Sequence, residues 1–329
     1  MIVDKISRRL NFKSLFKKTK DPKYNSLQEM GKLALNGGSY GRLNTKGDWQ
    51  EDPCCMLQVT VGCQLEILMI VEAIILKGFE IVSVNTDGWD TLVPKNRLEE
   101  YLKLCSFYEE KIGNKELGNI EYTVFKWIAQ TSVNDYIAEK VGEYLSDGTF
   151  KAHISLEKED RYKMKGDMEY WKELHKNSSF SIIPYAYFKY FTENIDIEET
   201  INNHTDIFDF CGRSNSGQTY YHLDTTNSTL EKDVILSKLI RYYVAKDGIY
   251  IKKMVKPEIT TNANNQNVTP AEYKKMVCNE LYKESHEYHL SNINRQWYID
   301  KCNEVIFGIE RGKKLKKTRT IDKNQISLF

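Results

Sequence analysis

Apolar residues recur three and four positions apart in the first part of the chain, which is the spacing of amphipathic helices. The helices predicted in this way cover residues 4–18, 26–35 and 57–77. The second is expected to begin at Ser26, because Ser26 and Glu29 fit a capping box, and Asp21-Pro22 is taken as the break before it. The third helix carries apolar residues along one side: Leu57, Val61, Leu65, Leu68 and Ile75.

After Gly78 the pattern changes from helical spacing to short strand-like runs. The runs at 80–84 and 89–93 flank Asp87-Gly88, a strong signal for a β-hairpin. The next elements predicted are a helix at 96–112 and strands at 120–128 and 133–138. This order predicts an α+β fold in which helices cover one face of a sheet.

The chain beyond residue 150 is rich in Tyr, Lys and Asn, and its pattern predicts a mainly helical region. Helices are expected at 195–202 and 269–306, and the low-complexity segment 262–267 is expected to be a surface loop. No internal repeat is found in the sequence.

The composition is that of a soluble protein, with 41% hydrophobic and 28% charged residues over 329 positions, enough for two or three subdomains. No membrane-spanning segment is expected, because the longest apolar run, Leu65 to Leu76, is short and contains Glu66 and Glu72. The N-terminus lacks the features of a secretory signal, so a cytoplasmic location is expected.

Basic residues are concentrated near both ends, in 5–23 and 311–323, although the net charge is only +1. Such runs attract the phosphates of a nucleic acid without sequence preference. The alternative, a solvated helix face and a frayed basic tail, is the commoner reason for any single run.

Two motifs in the first hundred residues point to a specific chemistry. Lys32 and Asn36 stand four apart and are followed by Tyr40-Gly41, and the hairpin carries the sequence Asn85-Thr86-Asp87-Gly88. They resemble the Lys-x-x-x-Asn, Tyr-Gly motif and the Asp-Thr-Asp-Ser hairpin of B-family DNA polymerases.

The resemblance continues downstream. The segment from Asn134 to Tyr136 occupies the place of the family's Lys-x-Tyr motif, with asparagine in place of lysine. Lys163-Met164-Lys165-Gly166 resembles the opening of the thumb in phage and mobile-element members. The order and separations match, and the likeness extends from about Arg8 to Ile309.

The resemblance implies a polymerase right hand. Residues 1–45 would be the remainder of the helical fingers hairpin, 46–155 the palm with part of its sheet, and 156–329 a mainly helical thumb. The implied activity is DNA-directed DNA synthesis, in which two Mg²⁺ ions assist nucleotidyl transfer to a primer 3′-hydroxyl. The implied partners are primer-template DNA and deoxynucleoside triphosphates, with no membrane.

Asp87 is the expected catalytic residue and metal ligand, since a carboxylate at the tip of a rigid hairpin can hold Mg²⁺. In the family this is the indispensable second aspartate; the first is Asn85 here, and the serine is Gly88. A lone Thr-Asp-Gly is more often only a turn. Asp90 is a weaker candidate, expected to face water from its strand.

Lys32 and Asn36 would project from one helix face towards the triphosphate of the incoming nucleotide. The alternative is a solvent-facing lysine and an asparagine that ends a helix. By resemblance, Tyr40 and Gly41 check the minor groove of the nascent base pair. A core tyrosine in a turn is the other interpretation.

The remaining candidates contact nucleotide or DNA by resemblance alone. Arg8 and Arg9 would reach the triphosphate from the fingers, although a solvated basic helix explains them equally well. Tyr136 would hold the primer terminus, and Lys165 would hold the duplex beyond it.

One family motif does not occur in the sequence. The Asp-x-x-Ser-Leu-Tyr-Pro-Ser segment, which supplies another metal-binding aspartate, is missing, as is an exonuclease. One carboxylate of two does not hold both metals, so the isolated chain is expected to be nearly inactive. A second polypeptide would carry the N-terminal palm and the exonuclease. The alternative is a non-catalytic nucleic-acid-binding remnant.

Overall fold

The structure is a computed structural model. It describes residues 2–38, 40–112, 120–144, 149–152, 161–170, 179–226, 234–256, 259, 267–269, 272–279, 285–317 and 325–328. They form two compact units: unit 1 is Met1–Trp127, Glu139–Leu156 and Ile321–Phe329, and unit 2 is Ile128–Ala138 and Glu157–Thr320. Helices and strands are mixed in both units, which confirms the predicted α+β class.

The helices of unit 1 are α1 (Ile2–Thr19), α2 (Pro22–Gly38), α3 (Pro53–Leu76) and α4 (Leu98–Ile112). The predicted start of α2 at Ser26 is wrong. Asp21 accepts a hydrogen bond from the Lys23 amide (2.9 Å), and Pro22, which has no amide to leave unpaired, takes the first position. Ser26 donates to the carbonyl of Pro22 (3.1 Å) within the helix.

α3 is capped in the same way, because Asp52 accepts from the Cys55 amide (2.9 Å) and Pro53 follows it. Its buried residues all lie in the C-terminal third: Ile70, Val71, Ala73 and Ile74. By length and composition alone, α3 is long and apolar enough to cross a membrane, whereas the run from Leu65 to Leu76 considered in the sequence is too short. In the structure, 17% of the most apolar stretch of α3 is buried. A core helix of a soluble protein meets the same test.

Most of an antiparallel sheet with the order β1-β2-β14-β3-β4-β5 belongs to unit 1, and the parts of β3 and β4 within 128–138 belong to unit 2. Its strands are β1 (Glu80–Val84), β2 (Trp89–Pro94), β3 (Tyr122–Ser132), β4 (Asp135–Tyr144), β5 (Phe150–Ala152) and β14 (Gln325–Leu328). The predicted hairpin at 80–93 is confirmed, and the later strands are longer than expected. β14 lies between β2 and β3, pairing along four residues of β2 but only two of β3.

The core of unit 1 fixes the β1–β2 hairpin against α3 and α4. The Tyr101 hydroxyl on α4 accepts a hydrogen bond from the Trp89 indole (2.9 Å) and lies 3.3 Å from the Thr91 hydroxyl. These contacts attach α4 to β2. Burial raises the pKa of Tyr101, which keeps its hydroxyl protonated. The cluster around it consists of Ile70, Ile74, Phe79, Val93, Tyr101, Cys105, Tyr122 and Val124.

Unit 2 is richer in strands than predicted, and helices and strands are mixed in it. Its sheets have the orders β13-β10-β7 and β12-β11-β8-β9, and β6 pairs with β4. The strands are β6 (Tyr162–Lys165), β7 (Cys211–Asn215), β8 (Tyr220–Asp224), β9 (Val234–Leu236), β10 (Leu239–Ile249), β11 (Ile251–Val255), β12 (Asn267–Thr269) and β13 (Lys275–Val277). The helices are α5 (Ile182–Phe188), α6 (Ile197–Asn203), α7 (His286–Asn292) and α8 (Arg295–Lys317).

The helix predicted at 195–202 is confirmed as α6, whereas the one predicted at 269–306 begins with β12 and β13. A buried tyrosine of α8 joins two parts of unit 2. The Tyr298 hydroxyl donates to the carbonyl of Phe210 (2.7 Å) and accepts from the amide of Val244 (2.9 Å). Both backbone groups are thereby satisfied inside the core.

Candidate functional site

Asp87 lies at the tip of the β1–β2 hairpin. The turn is closed by a hydrogen bond from the Asn85 amide to the carbonyl of Gly88 (2.9 Å). The Asp87 amide donates to the side-chain oxygen of Asn85 (3.0 Å), forming an Asx turn. Asp87 is exposed, and its carboxylate makes no hydrogen bond or ion pair within the described residues. It is therefore free to bind a cation.

The neighbouring polar groups of the hairpin are already engaged. Asn85, which stands where the family has its first aspartate, uses its oxygen to hold the turn. Asp90 is half-buried and accepts a hydrogen bond from Ser83 on β1, so the expectation that it simply faces water is wrong. Among the described residues there is no cluster of three or more His, Cys, Asp or Glu side chains that could hold a metal ion.

The fingers candidates lie on α2 and the turn after it. Lys32 and Asn36 are both exposed and stand one helical turn apart, as predicted. A Cβ on Gly41 would lie 2.9 Å from the carbonyl oxygen of Asn36, so only glycine fits this approach. The backbone of Tyr40 belongs to a short 3₁₀ turn, and its side chain lies outside the described part.

The basic residues of α1 differ in their surroundings. Arg8 is exposed, whereas Arg9 is half-buried and packs against Gly31, where an added Cβ would lie 3.4 Å from the Arg9 Cβ. The Arg9 Nε is buried without a hydrogen-bond partner in the described part of the chain. Lys13 forms an ion pair with Glu121 (2.7 Å). Arg8 is therefore the more available of the two arginines predicted to bind phosphate.

The primer candidates lie in unit 2. Tyr136 is on β4, and the Lys163 ammonium on the paired strand β6 lies 6.0 Å from the centre of its ring. Lys163 and Lys165 are both exposed and two residues apart, so they share one face of β6. The structure therefore brings Tyr136 next to the strand that carries Lys165.

Gly166, which sequence reasoning did not single out as a site residue, holds this arrangement in place. It has a φ of +72°, and an added Cβ would lie 2.4 Å from the carbonyl oxygen of Asn134. Asp135 also accepts a hydrogen bond from the Met168 amide (3.0 Å). The sequence shows a glycine directly after Lys165, but the close contact of this glycine with Asn134 arises only in the tertiary structure.

A cavity of about 650 Å³ in unit 2 has an acidic lining. Asp135, Asp167, Glu169, Asp209 and Glu304 contribute carboxylates to it, and Lys301 contributes a cation. The hydrogen bond from His204 (2.7 Å) lowers the pKa of Asp209, which keeps this carboxylate ionised. Negative charge repels phosphate, so this cavity does not suit a nucleotide.

The candidates fall into one set in unit 1, containing Asp87, Lys32 and Arg8, and one in unit 2, containing Tyr136 and Lys165. Asn85 is an addition to the predicted site, because its side chain orders the turn that presents Asp87. The sequence matches no protein-family model, and no curated protein is significantly similar to it.

Proposed function

We propose that the chain is the C-terminal palm and thumb portion of a DNA-directed DNA polymerase of the B-family type. It transfers nucleotides to a primer 3′-hydroxyl once a second polypeptide completes its active site. The observation that carries the proposal is Asp87, an exposed and unpaired carboxylate on a turn that its neighbour Asn85 holds in shape. The Asn85 side chain and the Gly88 carbonyl make the hydrogen bonds that hold this turn, so the turn does not need the Asp87 carboxylate.

The order of elements around Asp87 supports the same proposal. A helical hairpin with Lys32 and Asn36 precedes an apolar helix, the Asp87 hairpin and a further helix. The next hairpin carries Tyr136 beside two exposed lysines. The proposal requires this order along the chain, with nucleotide contacts before the metal ligand and DNA contacts after it.

Mg²⁺ fits Asp87 as one oxygen ligand, but the described residues do not supply a second free carboxylate at the tip. When bound, the ions would supply activation of the primer hydroxyl and stabilisation of the pyrophosphate leaving group. Asp87 would anchor them, and Lys32 would offset charge on the triphosphate. Tyr136 and Lys165 would position the primer and the duplex, which contributes through orientation.

The decisive experiment is primer extension with Mg²⁺ and deoxynucleoside triphosphates. The chain is assayed alone and with the neighbouring-gene product that carries an Asp-x-x-Ser-Leu-Tyr-Pro-Ser segment. The chain alone should be nearly inactive and the pair active. Asp87→Ala should reduce the extension rate of the pair by roughly a thousandfold, or about 4 kcal/mol in the barrier, without weakening DNA binding.

The matched control is Glu80→Ala, because Glu80 is an exposed carboxylate on the same hairpin away from its tip. This variant should keep the wild-type rate. Rapid extension by the isolated chain, or equal losses from both substitutions, would contradict the proposal.

A second candidate function is a non-catalytic nucleic-acid-binding remnant. The observation that favours it is Asn85, a neutral side chain that has become part of the turn where the family has an acidic one. In that case Asp87→Ala would leave every activity of the chain unchanged, and DNA binding would depend on Tyr136 and Lys165 alone. Lys165→Ala would then lower the salt dependence of binding by about one counterion.

A further inference from the structure

One side of α3 is a largely apolar surface in solvent. Ile70, Val71, Ala73 and Ile74 are buried, but the helix has no buried residue before Ile70. The opposite side, here called the exposed face of α3, consists of Leu57, Val61, Leu65, Leu68 and Ile75, which are 41–62% exposed. These positions lie three, four or seven apart, so they form one stripe along the helix.

A stripe of this size marks a contact site. The largest apolar patches on soluble monomers cover about 300–600 Å² and commonly serve binding. Five half-exposed aliphatic side chains on one helix form a patch of this order, and Leu76 extends it at the C-terminal end. Apolar residues occupy both sides of α3, although the core of unit 1 covers only the C-terminal part of this helix.

A lipid bilayer does not fit the exposed face. The C-terminal third of α3 is fixed in the protein core, so only Pro53 to Met69 is available for insertion. At 1.5 Å per residue this segment is about 25 Å long, shorter than the hydrocarbon core of about 30 Å. It also contains the exposed carboxylate of Glu66.

A second copy of the chain does not fit either, because of charge. Glu72 lies on the exposed face between Leu68 and Ile75, and it makes no ion pair within the described residues. α3 contains no lysine or arginine, so pairing α3 with itself would bury carboxylates without a cation. The occupant must therefore present an apolar surface together with a lysine or arginine opposite Glu72.

We infer that the exposed face of α3 is the docking surface for the second polypeptide, which covers it with an apolar segment that carries a basic residue. This inference rests on the proposed function. α3 leads through Gly78 directly into the hairpin that presents Asp87. A protein anchored on α3 is thus attached beside the element that needs a further carboxylate.

The test measures the affinity of the full chain for the neighbouring-gene product that carries the Asp-x-x-Ser-Leu-Tyr-Pro-Ser segment, by titration calorimetry without nucleotide or DNA. The double variant Leu65→Gln, Leu68→Gln should bind at least tenfold more weakly, and Glu72→Lys should also bind more weakly. Val59→Gln is the matched control, because Val59 is 41% exposed on the same helix but points away from the face. It should bind within twofold of wild type.

Other outcomes would overturn the inference. These are equal losses in the Val59 and Leu65/Leu68 variants, no loss in either, or the absence of any such gene product. If light scattering shows dimers and Leu65→Gln abolishes them, the exposed face of α3 binds a second copy of the chain. Binding to phosphatidylglycerol vesicles that Leu65→Gln abolishes would assign it to a membrane. Circular dichroism melts confirm that each variant is folded.

Failure of the two proposals can be distinguished. A complex that depends on Leu65 and Leu68 but extends no primer would leave the docking surface in place and refute the polymerase proposal. Primer extension by the pair that is unchanged by Leu65→Gln and Leu68→Gln would support the polymerase proposal and refute the docking surface.

Discussion

Substitution of Gly166 tests whether the turn before Tyr136 is held by close backbone packing. Gly166 has a φ of +72°, and an alanine in this region costs about 1 kcal/mol. Its Cβ would also lie 2.4 Å from the carbonyl oxygen of Asn134 and 2.9 Å from the Asp135 Cα. Both are too close for any real contact, and overpacking of this kind costs a further 1–3 kcal/mol or so. Gly166→Ala should therefore cost about 3 kcal/mol locally.

The chain provides a matched control in the same unit. Gly217 has a φ of +68°, with nothing within 4 Å of the position of an added Cβ. Gly217→Ala should therefore cost only the backbone contribution of about 1 kcal/mol. The difference between the two variants, about 2 kcal/mol, is the effect of the close approach alone.

Hydrogen-exchange mass spectrometry measures the local cost at Gly166 in peptides that cover 133–138 and 162–168. In Gly166→Ala these peptides should exchange roughly 150-fold faster than in wild type, following the cost of about 3 kcal/mol, whereas Gly217→Ala, which lies outside them, should leave their exchange close to wild type. DNA affinity should fall in parallel, because the same turn positions Tyr136. Equal exchange in the two variants would refute the close packing of Gly166 against Asn134.

Three further predictions concern other parts of the chain. Tyr298→Phe removes the hydroxyl that serves two buried backbone groups and should destabilise unit 2 by about 2 kcal/mol in urea denaturation. Burial lowers the pKa of His222, so the folded state favours the neutral ring. The contribution of this residue to stability should be full above about pH 6.5 and be lost as the pH falls. Thermal melts from about pH 7.5 to 5.5 should therefore show a smaller loss of stability in His222→Gln than in wild type. Asn85→Ala should loosen the turn at Asp87 and reduce primer extension by the reconstituted pair, whereas Asn85→Asp keeps the acceptor and should retain it.

Much of unit 1 was predictable from local sequence. The hairpin at 80–93 follows from strand-like runs around Asp87-Gly88, and α4 follows from its apolar spacing. The start of α2 was missed because Asp21-Pro22 was taken as a break, although aspartate before proline is itself a helix start. Asp52-Pro53 begins α3 in the same way.

Unit 2 was less predictable, because its strands are rich in Tyr, Lys and Asn and lack a clear alternation of apolar and polar residues. β10 is an example: Tyr242, Tyr243 and Val244 follow one another, and only its partners β7 and β13 decide which side is buried. At the candidate site, motif spacing predicted Asp87, Lys32 and Tyr136. The roles of Asn85 and Gly166 depend on turn geometry and tertiary contact, which spacing does not carry.

The place of β14 in the sheet of unit 1 has a consequence for biosynthesis. β14 separates β2 from β3, and the larger part of unit 2, residues 157–320, lies between these strands and β14 in the chain. While the ribosome is still translating unit 2, the facing backbone groups of β2 and β3 have no partner from residues 325–328. Such open strands readily pair with other chains. The nascent protein should therefore depend on chaperones until residues 325–328 emerge, and expression at low temperature should improve its soluble yield.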